Sequence, residues 1–409
     1  MPSDGILSPL AQPGFRRYFV GQVITNVGTW FQNLALSLVV LDATGSAQAL
    51  GGVTFAQFLP ILLLSIHAGR VVDRVSPRTV LMIGAALSAV VVSSLALVVS
   101  AEAPSLLVIY GLIACLGAVN AFERIAAQAI IRSLVSVDRL GRAVSLSTIT
   151  VAAGRSVGPG LAGLLFQAAG PVVCLLANAV SFVLVFVLML FVHPREERLA
   201  RRVDPGSGEL GSLLQDRSLR LLLVVNAVIA LLALNLNIVL TSMVALTFEG
   251  SATSVGLNHA LNAVGAVAGG LVATALPKVS TGALAAGCAL LGATLFASTV
   301  PDTLAAFLAV APVLGLGFGF YMAVVNAVAQ AAAPAQAVGR VMALMMLGNV
   351  GMAPFGGLIS GWVIDRTSGR TSLLLGAAVA LTCAFAVALH TLRRGENRLD
   401  ARTDHESEL

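Results

Sequence analysis

The chain is an almost unbroken succession of apolar stretches, each long enough to cross a bilayer and separated from the next by a short polar break. A membrane-crossing helix needs about 20 such residues, because inside hydrocarbon every backbone N–H and C=O must be satisfied within the segment. Twelve stretches meet that length, at 18–41, 50–72, 79–100, 105–132, 143–167, 171–192, 219–247, 253–276, 280–300, 303–330, 338–363 and 371–392. Charge is correspondingly scarce, at 11% of 409 residues, with 57% hydrophobic. A soluble domain carries about 25% charged residues. This chain has too few to give itself a wettable surface, which excludes an ordinary soluble enzyme, a disordered chain and a nucleic-acid binder, whatever its pI of 9.5. Barrel strands alternate in polarity; no such alternation is present, and 40 glycines suit closely packed helices. The expected fold class is all-α, twelve transmembrane helices in the lipid bilayer.

The net charge of +5 is accounted for by topology. Positive loops stay cytoplasmic. Arg16 and Arg17, then Arg70, Arg74 and Arg78, then Arg132, Arg139 and Arg142, then Lys278, Arg340 and the tail arginines fall on one side. Asp42, Glu102, Glu249, Asp302 and Asp365 fall on the other, joined only by Arg366 and Arg370. Both termini are therefore expected inside the inner (cell) membrane. Residues 1–12 lack a basic start, a short apolar core and a small-residue cleavage site, so the first span is read as retained. The four cysteines sit singly inside apolar runs with no metal-ligand spacing.

The longest break, 193–217, is charged and Gly/Pro-bearing and falls near the middle of the chain. It is read as a cytoplasmic linker between an N-terminal half (1–192) and a C-terminal half (218–392), with a tail at 393–409. The halves repeat. At a shift of about 204, Arg16 falls on Arg220, Gln22 on Asn226, Asn33 on Asn237 and Ser37 on Thr241. At 198, Gly141-Arg142 falls on Gly339-Arg340, Gln128 on Asn326 and Gly163 on Gly361. Parallel repeats with a site at their interface belong to secondary transporters. The expected architecture is two pseudo-symmetric six-helix bundles.

Between spans two and three, Gly69, Asp73, Arg74, Arg78 and Leu81 match the loop signature G-x-L-A-D-R-x-G-R-K/R-x-x-L of the major facilitator superfamily, which the chain resembles; Ser76 and Pro77 depart from it. The resemblance implies a cytoplasmic latch; a plain positive-inside loop is the alternative. A look-alike, Gly361 to Arg366 with Gly369 and Arg370, falls on the outer face and is read as a local salt-bridged turn. In the fifth span Gly154, Gly158, Pro159 and Gly163 resemble the antiporter signature of the superfamily's exporters, with Pro159 expected to bend the helix. The segment 120–146 and the stretch from Asn326 resemble the branch of enterobactin-type siderophore exporters and macrolide efflux proteins, although the Pro and later Arg of its acid-x-Pro-x-Arg-Gln pattern are missing here.

Ionisable groups inside hydrocarbon cost about 2.5–3.5 kcal/mol on insertion scales, so they mark function. Glu123, Arg124 and Arg155 are the notable cases. The helical rise separates Glu123 and Arg155 by roughly 15 Å in depth, which argues against a permanent bridge. Glu123 is the better proton carrier, with a static partner role as the alternative; Asp42 is a second proton site or a turn residue. Gln22, Asn26, Thr29, Asn33 and Ser37 mark one face of the first span, and Asn226, Asn237 and Thr241 echo it in the seventh. Such stripes line a cavity or hydrogen-bond between helices. As cavity lining they are joined by Trp30, Gln57, Asn262, Tyr321, Asn326, Met345 and Met346, a soft surface suited to apolar compounds.

There is no Gly-x-x-x-x-Gly-Lys-Ser/Thr loop, metal cluster or nucleophile–base set. The reading is a non-enzymatic secondary transporter without cofactor, driven by a proton gradient. It exports drugs or small apolar or neutral metabolites as a monomer, with import or facilitation of a small metabolite as the alternative. No nucleic-acid partner is expected.

Overall fold

The computed structural model describes residues 7–193, 215–276, 280–334 and 337–407, with side chains to Arg393. Most of the expected linker, the Pro277-Lys278 turn and the tail side chains lie outside the described residues. The described residues form helices: α1 Pro13–Thr44, α2 Ala47–Val72, α3 Pro77–Val99, α4 Leu106–Leu134, α5 Val137–Leu190, α6 Arg217–Leu232, α7 Leu236–Ser242, α8 Ala252–Thr274, α9 Thr281–Ala297, α10 Leu304–Ala332, α11 Val338–Arg366 and α12 Gly369–Ser407. Ten helical segments are long and apolar enough to cross a membrane, and α9 is a shorter apolar helix.

Three elements differ from the sequence expectation. The fifth and sixth stretches form one 54-residue helical segment in two arms, broken at Gly170, where φ is 80°. Only glycine adopts that geometry cheaply. Gly170 is also the only residue within α5 with non-helical dihedral angles, and it falls in the expected interval between the fifth and sixth stretches. The seventh stretch is interrupted: α6 ends at Leu232, α7 starts at Leu236, and a π-turn follows at Met243–Thr247. The last helix continues past the apolar stretch, through good helix formers such as Leu, Arg and Glu.

Short connections work because their first residue closes a helix end. Ser46, Ser76, Ser251, Ser280 and Thr303 each accept from the backbone N–H three residues on. One cap recurs with the sequence repeat, Ser76 matching Ser280. α4 and α10 start and end at a common offset, since 304 less 106 and 332 less 134 both give 198.

α1 packs on α5, α2 on α4 and α3 on both α4 and α5; in the second half α8 packs on α10, α9 on α10 and α12, and α11 on α6. Two seams join the halves, α2 against α11 and the first arm of α5 against α8. The seams are glycine-lined. A Cβ on Gly51 would fall on the carbonyl of Gly357, and one on Gly163 on the carbonyl of Ala252. No larger residue permits that backbone approach.

Candidate functional site

A cavity of about 500 Å³ lies inside the bundle. The α1 stripe lines it as expected, with Gln22, Asn26, Thr29, Trp30, Asn33 and Ser37. Gln57 of α2 and Asn237 of α7 line it too, as do Asn120, Glu123 and Arg124 of α4. Two antiporter-signature glycines set where the stripe sits: a Cβ on Gly154 would be 3.0 Å from Asn26, and one on Gly158 would be 2.7 Å from the Trp30 ring. Pro159 and Gly163 meet the second half instead, because Gly256 of α8 packs on the Pro159 carbonyl and on Gly163.

The remaining expected cavity residues lie elsewhere. Asn226 is buried and donates to the Met345 carbonyl at 3.1 Å, while Met345 itself is buried. Asn262 donates to Ala311 and Asn326 to Met322, both to backbone carbonyls. Tyr321 is wholly buried, and Met346 is absent from the lining. Thr241 is turned to His259 at 2.9 Å. In low dielectric the three asparagines are held by backbone carbonyls and Thr241 by an imidazole nitrogen, while the buried Tyr321 hydroxyl has no hydrogen-bond partner among the described residues. The thioethers and phenol expected to soften the wall are missing from it; amides supply most of its polar side chains, set among apolar ones such as Leu36, Val53, Ile113 and Phe182.

Three features escaped the sequence reading. Gln32 lines the cavity and accepts from Asn178 at 2.8 Å, and Ser181 donates to Asn178 at 2.9 Å; this buried network ties α1 to the second arm of α5. A lone Asn in an apolar span was its signal. Asn235 lines the cavity at the gap between α6 and α7 and donates to the Leu231 carbonyl at 2.8 Å, closing an end that the break leaves unpaired. Asn235 and Asn237 interrupt an apolar run, as a discontinuous helix requires.

The third is a clasp between the halves. Asp365, at the end of α11, accepts from Ser46 Oγ at 2.5 Å, Ala47 N at 2.7 Å and Gln48 N at 3.1 Å, so its carboxylate caps the first turn of α2. The expected local turn at 361–370 is thus a bridge between residues 319 positions apart. Gly361 lets the backbone close on Ala47, and Phe55 meets Phe355 edge-on at 6.2 Å. Arg370 pairs with Asp302 at 2.8 Å and Arg366 lies over Trp362 at 5.8 Å. At the opposite end the signature loop makes no hydrogen bond or ion pair across the halves among the described residues. Asp73 and Arg74 are exposed, and Arg78 donates to the carbonyls of Met189 at 2.9 Å and Leu190 at 2.7 Å, within its own half. Gly69 has open space around its Cβ position.

Glu123 and Arg124 have no hydrogen-bond or ion-pair partner among the described residues, and Glu123 lies against Gly84 of α3. Arg155 is outside the cavity; its guanidinium stacks over Phe318 of α10 at 5.1 Å, across the halves. No bridge joins it to Glu123, as the depth argument expected. Asp42 is exposed near the end of α1.

Residues 18–356 match the family described as the Major Facilitator Superfamily. The chain belongs to this superfamily. The Staphyloferrin A transporter of Staphylococcus aureus (strain NCTC 8325 / PS 47) is 28% identical over 179 residues, 43% of this chain and 45% of that protein, so the chain matches less than half of the relative's length. Among solved structures, the nucleoside transporter NupG superposes with a TM-score of 0.75 at 12% identity, covering 92% of this chain and 99% of that one. A bacterial homologue of the iron transporter ferroportin, in an inward-facing state, superposes at 0.68 and 17% identity, covering 90% and 98%. At such identities the likeness speaks to fold alone. As a major facilitator the protein is an integral, multi-pass secondary transporter of a small molecule and not an enzyme.

Proposed function

We infer that this superfamily member is a proton-coupled exporter of small polar solutes, working as a monomer by alternating access. Counted with both arms of α5, with α6 and α7 as one interrupted crossing, and with α9, it crosses the membrane twelve times, as two six-helix halves joined by the 193–217 linker. The Lys/Arg distribution puts the 73–78 loop and both termini on the cytoplasmic side of the inner membrane. In that orientation Asp365 and the glycine seams hold the outer side shut while the cavity faces the cytoplasm.

The single observation that carries this reading is the pairing of a clasp at one end with an unengaged latch loop at the other, around a cavity whose only lining carboxylate among the described residues is Glu123. In the opposite state Gly69, Asp73, Arg74 and Arg78 close the inner side. Coupling runs through Glu123: a proton arriving from outside and a solute arriving from inside use the same carboxylate in turn, with no cofactor. The amide-rich wall moves the solute from apolar toward polar, because an apolar ligand would leave those amides unpaired at about 1–3 kcal/mol each.

The test starts from an efflux-susceptibility screen of polar antibiotics and siderophores in a pump-deficient bacterium. The solute so found is followed in inside-out vesicles under an imposed pH gradient. Glu123→Gln should abolish gradient-driven accumulation. Undiminished accumulation in that variant would overturn the coupling assignment, and flux in the opposite direction would make the protein an importer.

A further inference from the structure

Glu123 and Arg124 are adjacent on α4, carry opposite charge, line one cavity and touch no counter-ion among the described residues. Successive helical positions project about 100° apart, so the two side chains diverge and do not pair with each other. An acid and a base left unpaired in a membrane interior are costly. A singly charged ligand answers one and is repelled by the other. A ligand carrying both charges, held apart by a polar spacer, answers both, and the amides around it satisfy the spacer. We propose that the cavity selects zwitterions, with Glu123 receiving the cationic group and Arg124 the anionic group of one solute. This rests on the reading of the cavity as the transport site.

The chain has two tryptophans, of which Trp30 lines the cavity and Trp362 does not. In a Trp362→Phe background Trp30 is therefore a single fluorescent reporter of cavity occupancy. Three probes on one scaffold are titrated into the full-length protein in detergent, without a gradient: L-glutamine (zwitterion), L-glutamine methyl ester (cation) and N-acetyl-L-glutamine (anion). The zwitterion should give a saturable change in Trp30 emission at a concentration at least about tenfold below either singly charged probe, as expected for one additional charge-assisted pair. Glu123→Gln should remove its advantage over the anion and Arg124→Gln its advantage over the cation. Glu123→Asp and Arg124→Lys, which keep the charges, should retain the ranking and separate charge loss from misfolding. Equal binding by either singly charged probe, a ranking that survives both neutral variants, or no saturable response to the zwitterion overturns the proposal. Because no gradient is applied, these results are independent of export. The expected ranking in the wild-type protein together with flux that ignores the pH gradient would count against the coupling reading alone and leave this one standing.

Discussion

Replacing Asp365 with alanine removes the only side chain that ties the end of α11 to the first turn of α2. The carboxylate accepts three hydrogen bonds, from Ser46 Oγ, Ala47 N and Gln48 N, at 2.5 to 3.1 Å. Hydrogen bonds to a charged group contribute about 1.5–3 kcal/mol each when buried. Asp365 is exposed, so solvent screening cuts the total to about 1–2 kcal/mol. That is a shift of about 5- to 30-fold in the balance between sealed and opened forms of this end. The seam glycines and the Phe55–Phe355 contact remain, so the end should loosen without the fold melting. Spin labels at Ala43→Cys and Thr367→Cys, both exposed positions flanking the clasp, report the separation directly by double electron–electron resonance. Asp365→Ala should move population into a longer-distance peak, with Asp365→Asn intermediate because it keeps one acceptor oxygen. Identical distance distributions in wild type and Asp365→Ala would refute the reasoning and reduce the contact to surface decoration.

Gly158→Ala puts a methyl 2.7 Å from the Trp30 ring; it should cost about 1–3 kcal/mol of stability and shift Trp30 emission, read by detergent melting and fluorescence. Asn178→Leu strips Gln32 and Ser181 of a buried partner and should cost about 1–3 kcal/mol in the same melting assay, with Asn178→Ala similar. Arg155→Met loses a cation–π contact on Phe318 worth about 0.5–2 kcal/mol but also removes a charge costing about 2.5–3.5 kcal/mol in hydrocarbon. It should therefore leave stability unchanged or raised while slowing transport, and a large drop in melting temperature would contradict that.

How far the sequence could be read depended on what each residue had to reach. Most spans were legible because apolar length alone sets them, and the α1 stripe because its face is set by one helix alone. Asn226, Asn262 and Asn326 were not separable from true cavity lining, since an amide bonded to a buried carbonyl and an amide facing a solute both occupy the inward face of a span. The Asp365 clasp was misread as a local turn because its partner is 319 residues away and becomes a neighbour only when the halves pack. The break at Gly170 falls in the interval left between the fifth and sixth stretches, whereas the gap at 233–235 was hidden inside an apolar run, where hydropathy reports depth in lipid and is silent on backbone continuity.

The central claim is that the two halves must part at the clasped end for solute to pass. In a background lacking the four native cysteines, Ser46→Cys and Asp365→Cys replace two side chains already in hydrogen-bond contact across the α2–α11 clasp. Solute flux should stop when this pair is oxidised and return when it is reduced. Flux that continues at full rate through the oxidised, fully crosslinked protein would contradict the account.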